Sequence, residues 1–206
     1  MSHMTGHILT GIGCAIKNVG MGCAARRGKY EQHCGAHPDV KASECSGCGL
    51  CVRICPAGCL SLVSGRIAFD MKACIGCGEC AVVCPTRALE IRWSESLEIL
   101  QQKMVEYAAG AIKAVGGRAG YINFLTRVTR DCDCLAKDDP SIVADIGILA
   151  SSDPVAIDKA SVDLVLKEAG RDVFKEGYPE TDWSVQLKYA EGFGLGSLDY
   201  DLETVR

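Results

Sequence analysis

Two runs of the form C-x2-C-x2-C-x3-C-P constrain this chain more than any other feature: Cys45, Cys48, Cys51 and Cys55 before Pro56, then Cys74, Cys77, Cys80 and Cys84 before Pro85. The second run repeats the first at a period of 29 residues, which predicts two similar half-modules around a pseudo-twofold axis over residues 39–92. Fourteen cysteines in 206 residues could belong to a secreted disulfide scaffold or to a reduced, metal-binding protein. Spacing decides for metal. Zinc sites group thiolates as separated C-x2-C pairs, whereas runs of four closed by Cys-Pro are the pattern of iron–sulfur ligation.

Three thiolates two residues apart can wrap three corners of a cubane, while the fourth, opening the next helix, points to the neighbouring one. One 4Fe-4S cluster is therefore assigned to Cys45, Cys48, Cys51 and Cys84, and a second to Cys74, Cys77, Cys80 and Cys55. Glycines 47, 49, 76 and 78 are expected to bend the backbone tightly and aim N–H groups at the sulfurs. Ile54, Leu60, Ile75, Val82, Val83 and Leu89 are the expected apolar shell. Cys59 aligns with Ala88 in the repeat and reads as a small buried hydrophobe rather than a ligand. Residues 39–92 resemble the bacterial-type two-cluster ferredoxin domain, and that resemblance implies one-electron transfer at low potential.

The module sits between a glycine-rich N-terminal segment, residues 1–38, and residues 93–206, which read as α/β. Residues 1–38 show no clean helix or strand period and are expected to be loop-rich. Ser94 or Ser96 can cap a helix through 97–115 whose buried stripe is Leu97, Leu100, Met104, Tyr107 and Ala111, with Gly116 and Gly117 ending it. Strands are expected over 121–128 and 141–150. A helix then follows, capped at Asp153, with Pro154 in its first turn, and running to Gly170. The tail reads as one more short helix and a loop. The fold class is α+β: a two-cluster ferredoxin-like module inserted in, or packed on, a partial βαβ-type domain.

Residues 1–38 carry four Lys/Arg against one Glu, and residues 93–206 carry twelve Lys/Arg against twenty Asp/Glu. Packing of the two segments against each other accounts for this asymmetry, and no motif points to nucleic acid. No apolar run reaches the length of a membrane span and no secretory leader opens the chain, so a cytoplasmic protein without membrane insertion is expected.

Cys14, Cys23, Cys34, Cys132 and Cys134 lie outside the repeat. In "TRDCDCLAKDDP", residues 129–140, the C-x-C pair becomes chelating if its turn is tight, and its aspartates should raise the thiol pKa values. Its position at the exit of a strand makes Cys132 and Cys134 a possible second site, with Lys17 and Asn18 to orient an anionic substrate and the carboxylates near Asp153 and Asp158 beside them. Asp153 and Asp158 equally suit a helix cap and a helix dipole. His3 and His7 are four apart, but Gly6 intervenes and MSHM also resembles a cloning remnant. "GMGCAA", Gly20–Ala25, matches a dinucleotide fingerprint without a preceding strand; an anion loop with Arg26, Arg27 and Lys29, or a solvated basic surface, fits it better.

"GHILTGIGCAIKNVGMGCAARRGKYEQH", the two cluster runs, "EYAAGAI", "YINFLTRVTRDCDC", "DIGILASSDPVAIDKASVDLV" and "GFGLGSLDY" together resemble the domain of unknown function 362 family. The resemblance implies iron–sulfur proteins with a ferredoxin module inserted in an α/β domain, without an assigned reaction. Family members usually carry an α/β segment ahead of the "GHILTGIG" equivalent, so this chain is expected to be a short form, a fragment or half of a split protein. Homo-oligomerisation or a partner chain supplying the missing strands follows. Three functions are weighed: an electron-transfer protein or oxidoreductase subunit with redox protein partners; a redox enzyme whose clusters feed a site near Cys132 and Cys134; and a docking scaffold with structural clusters.

Overall fold

In chain order the elements are strands β1 (Ser2–His3), β2 (Thr5–His7) and β3 (Gly11–Gly13), helix α1 (Ala15–Lys17) running into a π-turn at Asn18–Gly22, and α2 (Arg26–His33). The repeat contributes β4 (Asp39–Val40), α3 (Leu50–Ile54), β5 (Leu60–Val63), β6 (Arg66–Phe69), α4 (Glu79–Val82) and β7 (Leu89–Glu90). Then come α5 (Leu97–Ala114), β8 (Tyr121–Leu125), β9 (Gly147–Ser151), α6 (Pro154–Ala169), α7 (Val173–Gly177) and α8 (Ser184–Gly192). This computed structural model describes residues 1–33, 37–91, 96–135 and 138–205; Cys34 and the alternative cap Ser94 lie outside them. The chain divides into two units, Met1–Ala24 with Ser96–Arg206, and Ala25–Glu95 between them in sequence. The second unit begins ahead of residue 39 because α2 belongs to it. Helices and small mixed sheets make the fold α+β.

The first unit is built on a sheet of order β1-β8-β9. β8 alternates buried Tyr121, Asn123 and Leu125 with half-buried neighbours, the period of a strand with two unlike faces. β1 runs parallel to it, with Ser2 opposite Asn123, so the opening residues are part of the sheet. β9 runs antiparallel, with Leu125 opposite Gly147. The βαβ relation expected of the strands flanking the C-x-C segment is thereby corrected. A loop joins β8 to β9, and the parallel pairing falls between β1 and β8, whose connection contains α5. The strand expected over 141–150 shortens to β9: the Ile142 and Ile146 N–H groups still bond the Val128 and Leu125 carbonyls at 2.8 and 2.9 Å, but between them Asp145 Oδ1 takes the Arg127 N–H at 2.6 Å and interrupts the regular ladder.

Helix ends follow the local chemistry. Ser96 Oγ accepts the Ile99 N–H at 3.2 Å to cap α5, and left-handed Gly116 and Gly117 end it. Its buried residues are Leu100, Gln101, Met104, Val105 and Ala108, rotated from the expected stripe so that Tyr107 and Ala111 are only half-buried. The π-turn at Asn18–Gly22 sets that rotation: a Cβ on Gly20 would lie 2.1 Å from the Met104 carbonyl oxygen, so only glycine lets the two segments touch. Asp153 Oδ1 caps α6 through the N–H groups of Val155 and Ala156 at 2.7 and 2.9 Å, with Pro154 opening the helix.

The loop-rich reading of residues 1–38 is corrected. Met4, Ile12, Ala15 and Ile16 are fully buried. Met4 and Ile12 pack with Leu125, Val128, Val162, Val165 and Phe174, and Ile16 packs with Met104, Val105, Val155 and Leu187 of a second cluster. β3, α1 and the single residue between β1 and β2 carry these side chains, and elements of two or three residues leave no period to read.

The second unit keeps the 29-residue repeat in its pairing. Val40 opposes Leu89 as Phe69 opposes Leu60, and Asp39 opposes Glu90 as Ala68 opposes Ser61. Adding 29 to one member and subtracting it from the other interchanges the two antiparallel pairs, the register of a pseudo-twofold. Gly49 and Gly78, at φ +69° and +73°, each stand before a short helix, α3 or α4. Among the described residues no helix is long and apolar enough to cross a membrane.

Candidate metal centres

In the second unit the cysteines converge on two hollows. One is lined by Cys45, Cys48, Cys51 and Cys84 with Leu62, Ile67 and Leu89. The other is lined by Cys55, Cys74, Cys77 and Cys80 with Phe69 and Ile75. Each hollow thus takes three thiols from one run and the fourth from the other. The Gly47 N–H points to Cys45 Sγ and the Gly76 N–H to Cys74 Sγ, both at 3.4 Å, with both glycines left-handed. The apolar walls match expectation in part, through Leu89 and Ile75. Ile54 and Val82 are 43% and 67% exposed, whereas the β5–β6 hairpin supplies Leu62, Ile67 and Phe69.

The thiols that cross over have a common environment. The chain turns after each, Gly58 N–H bonding the Cys55 carbonyl at 3.3 Å and Arg87 N–H the Cys84 carbonyl at 3.4 Å, with Gly58 and Arg87 both left-handed. Burial pushes both thiols up, but hydrogen bonds from the Cys59 thiol and N–H groups of Cys59, Ala57 and Gly58 bring Cys55 below its ordinary value, and those of Leu89, Thr86 and Ala88 do the same for Cys84. Burial raises Cys51, and burial with the charges of Cys77 and Cys74 raises Cys80 to about 11. Cys59 is buried beside the second hollow with its Sγ 3.3 Å from Cys55 Sγ, and burial with that neighbour pushes its thiol to about 12. Its twin Ala88 lines the first hollow with no donor atom. Two sets of four thiols, each in a walled hollow with a backbone N–H group turned to sulfur, are donor sets that could hold a thiophilic metal centre apiece.

The first unit holds a different group. Sulfur atoms of Cys132 and Cys134 and a ring nitrogen of His7 lie within 4.8 Å of one another. The Cys134 N–H donates to Cys132 Sγ at 3.3 Å, which is the tight turn that turns both thiols to one side. Lys17 Nζ donates to Cys132 Sγ at 3.1 Å. The expectation that the aspartates would raise both thiols is corrected for Cys132. Burial raises it, but hydrogen bonds from Cys134 and the Lys17 ammonium outweigh burial and hold it below its ordinary value. Burial and the donated hydrogen bond to Cys132 raise Cys134. The aspartates face elsewhere: Asp131 accepts from Tyr178 Oη, Asp133 meets His3 Nδ1 at 2.8 Å, and Asp138 pairs with Arg127.

Lys17 therefore reaches the C-x-C pair, but Asn18 does not, since its Nδ2 donates to the Met1 carbonyl at 2.9 Å. His7 joins the pair rather than His3, because the β2–β3 hairpin carries it there. The only sequence signal for it was an imidazole next to a hairpin turn. Asp153 and Asp158 serve structure. Asp158, fully buried, accepts the Ala15 and Ile16 N–H groups at 2.8 Å each and Asn123 Nδ2 at 2.9 Å, so it caps α1 rather than its own helix. Burial raises its carboxyl to about 6 against those donors, and burial with the nearby Asp158 charge pushes the Cys14 thiol well up. Gly20 serves close packing and Arg26 pairs with Glu79, which leaves the anion-loop reading of "GMGCAA" without its glycine or its first arginine. Cys23 is exposed.

A family model described as Domain of unknown function (DUF362) matches residues 1–163. The chain belongs to the DUF362 family. No curated protein and no solved structure matches it. Both cysteine hollows and the His7, Cys132 and Cys134 group fall inside the DUF362 span, while α7, α8 and the tail follow it.

Proposed function

We propose that this DUF362 chain is an iron–sulfur electron-transfer protein, or the electron-transfer subunit of an oxidoreductase, holding two 4Fe-4S clusters and working with redox protein partners. The observation that carries the reading is the crossed lining of the two hollows, Cys45, Cys48, Cys51 and Cys84 in one and Cys74, Cys77, Cys80 and Cys55 in the other. Bound clusters supply one-electron transfer. The chain's part is to anchor the thiolates, turn the Gly47 and Gly76 N–H groups toward sulfur, and limit water through Leu62, Ile67 and Phe69. The thiol–imidazole group at Cys132 favours a second reading, a redox enzyme with a separate metal or substrate site in the other unit.

The test is anaerobic purification with iron and sulfide quantitation and EPR of the reduced protein. About eight irons per chain with two interacting cubane signals is the expected result. A single cluster, or zinc bound at the eight cysteines, overturns the assignment.

A further inference from the structure

We propose that His7, Cys132 and Cys134 bind one thiophilic divalent cation, zinc by chemistry, leaving a fourth position open to an exogenous anion. Two thiols and an imidazole gathered within 4.8 Å match the span of a first coordination sphere, and two sulfurs with one nitrogen form a donor set of zinc sites that keep one position open. Hard cations prefer oxygen ligands, which this group lacks.

The ring of His7 is held in place. Its Nδ1 sits 3.0 Å from Thr10 Oγ1, and the Thr10 hydroxyl donates onward to the Ile12 carbonyl at 2.7 Å. The Leu9 and Thr10 N–H groups donate to the same Nδ1, both at 3.2 Å, so the ring is fixed within the turn that joins β2 to β3. The C-x-C turn orients both sulfurs through the Cys134 N–H bond to Cys132 Sγ. His7 is buried while Cys134 is exposed, so the group has a buried anchor and an entry side.

The same geometry says what fills the fourth position. Among the described residues the group contains no fourth histidine, cysteine or carboxylate. Two thiolates balance a divalent charge, and the Lys17 ammonium 3.1 Å from Cys132 Sγ adds one positive charge, so the open position favours hydroxide or an anionic substrate group. This site is independent of the cluster assignment, since none of its three donors belongs to the repeat.

The test uses the full chain, purified anaerobically and reduced, with zinc and iron measured on the same sample. Zinc is titrated against a chromophoric chelator, and alkylation of each cysteine is mapped by mass spectrometry with and without zinc. One zinc per chain beyond any held by the repeat is expected, with Cys132 and Cys134 protected. The double variant C132S/C134S should weaken that zinc by about 100-fold or more while leaving iron unchanged. His7→Gln should weaken it similarly, and circular dichroism matching the parent shows that this variant folds. Zinc uptake unchanged in C132S/C134S, no stoichiometric zinc although both thiols alkylate freely, or a Cys132–Cys134 disulfide that persists under reduction would overturn the proposal. Absence of iron with this zinc retained would overturn the electron-transfer reading alone.

Discussion

Asp158 Oδ2 accepts the backbone N–H of Ile16 at 2.8 Å across 142 residues of sequence. The bond ties the first turn of α1 to the second turn of α6, and so joins the two chain segments that build the first unit. An isolated three-residue helix has no stability of its own, so a buried carboxylate on its N–H groups is what holds it.

That placement gives stability an unusual pH dependence. Burial raises the Asp158 carboxyl from 3.8 to about 6. A folded value above the unfolded one means that its contribution is fully present below the unfolded value and is lost as pH rises through the folded one, a change of roughly 3 kcal/mol. The unfolding free energy of the parent minus that of D158N should therefore fall between pH 4 and pH 7 in denaturant titrations. A difference that stays flat over that range contradicts the assignment.

Gly20→Ala should cost about 2–3 kcal/mol, because its new Cβ would stand 2.1 Å from the Met104 carbonyl oxygen, a backbone atom that cannot swing aside. Thermal unfolding reads this directly. A change within experimental error would mean that the π-turn does not pack on α5 as described.

Arg87 and Gly58 occupy equivalent turns of the repeat at φ +55° and +61°. Arginine strains there and glycine does not, so Arg87→Gly should stabilise by about 0.5–1 kcal/mol and Gly58→Ala should destabilise by about 1 kcal/mol. Opposite signs in urea midpoints at the two positions are the expected signature, and equal signs refute the equivalence.

Cys59 lines the second hollow although its twin Ala88 carries no donor. Cys59→Ala should leave the iron content unchanged, whereas Cys55→Ala should lose iron from the second set, with iron analysis of the two purified variants as the readout. Loss of iron from Cys59→Ala would reassign the ligand.

The legible parts were those whose cause is local. Asp153 with Pro154, Ser96, Gly116 and Gly170 mark helix ends through contacts a few residues away, and the structure has them in those roles. The buried face of α5 was legible only in part, because Gly20 packs on Met104 from outside the helix. The C-x-C thiols were visible as a pair, but their aspartates could not be excluded as neighbours until Tyr178, His3 and Arg127 were seen to engage them.

The convergence of the first three thiols of each run was determined by sequence alone, because thiols separated by two residues come together through short, glycine-bent backbone. Tertiary structure decided the rest. His7 reaches Cys132 and Cys134, and Asp158 reaches Ile16, only after the first and last parts of the chain close on one another. The direction of β9 likewise depends on how the loop after β8 folds back, and no residue pattern within either strand carries that choice.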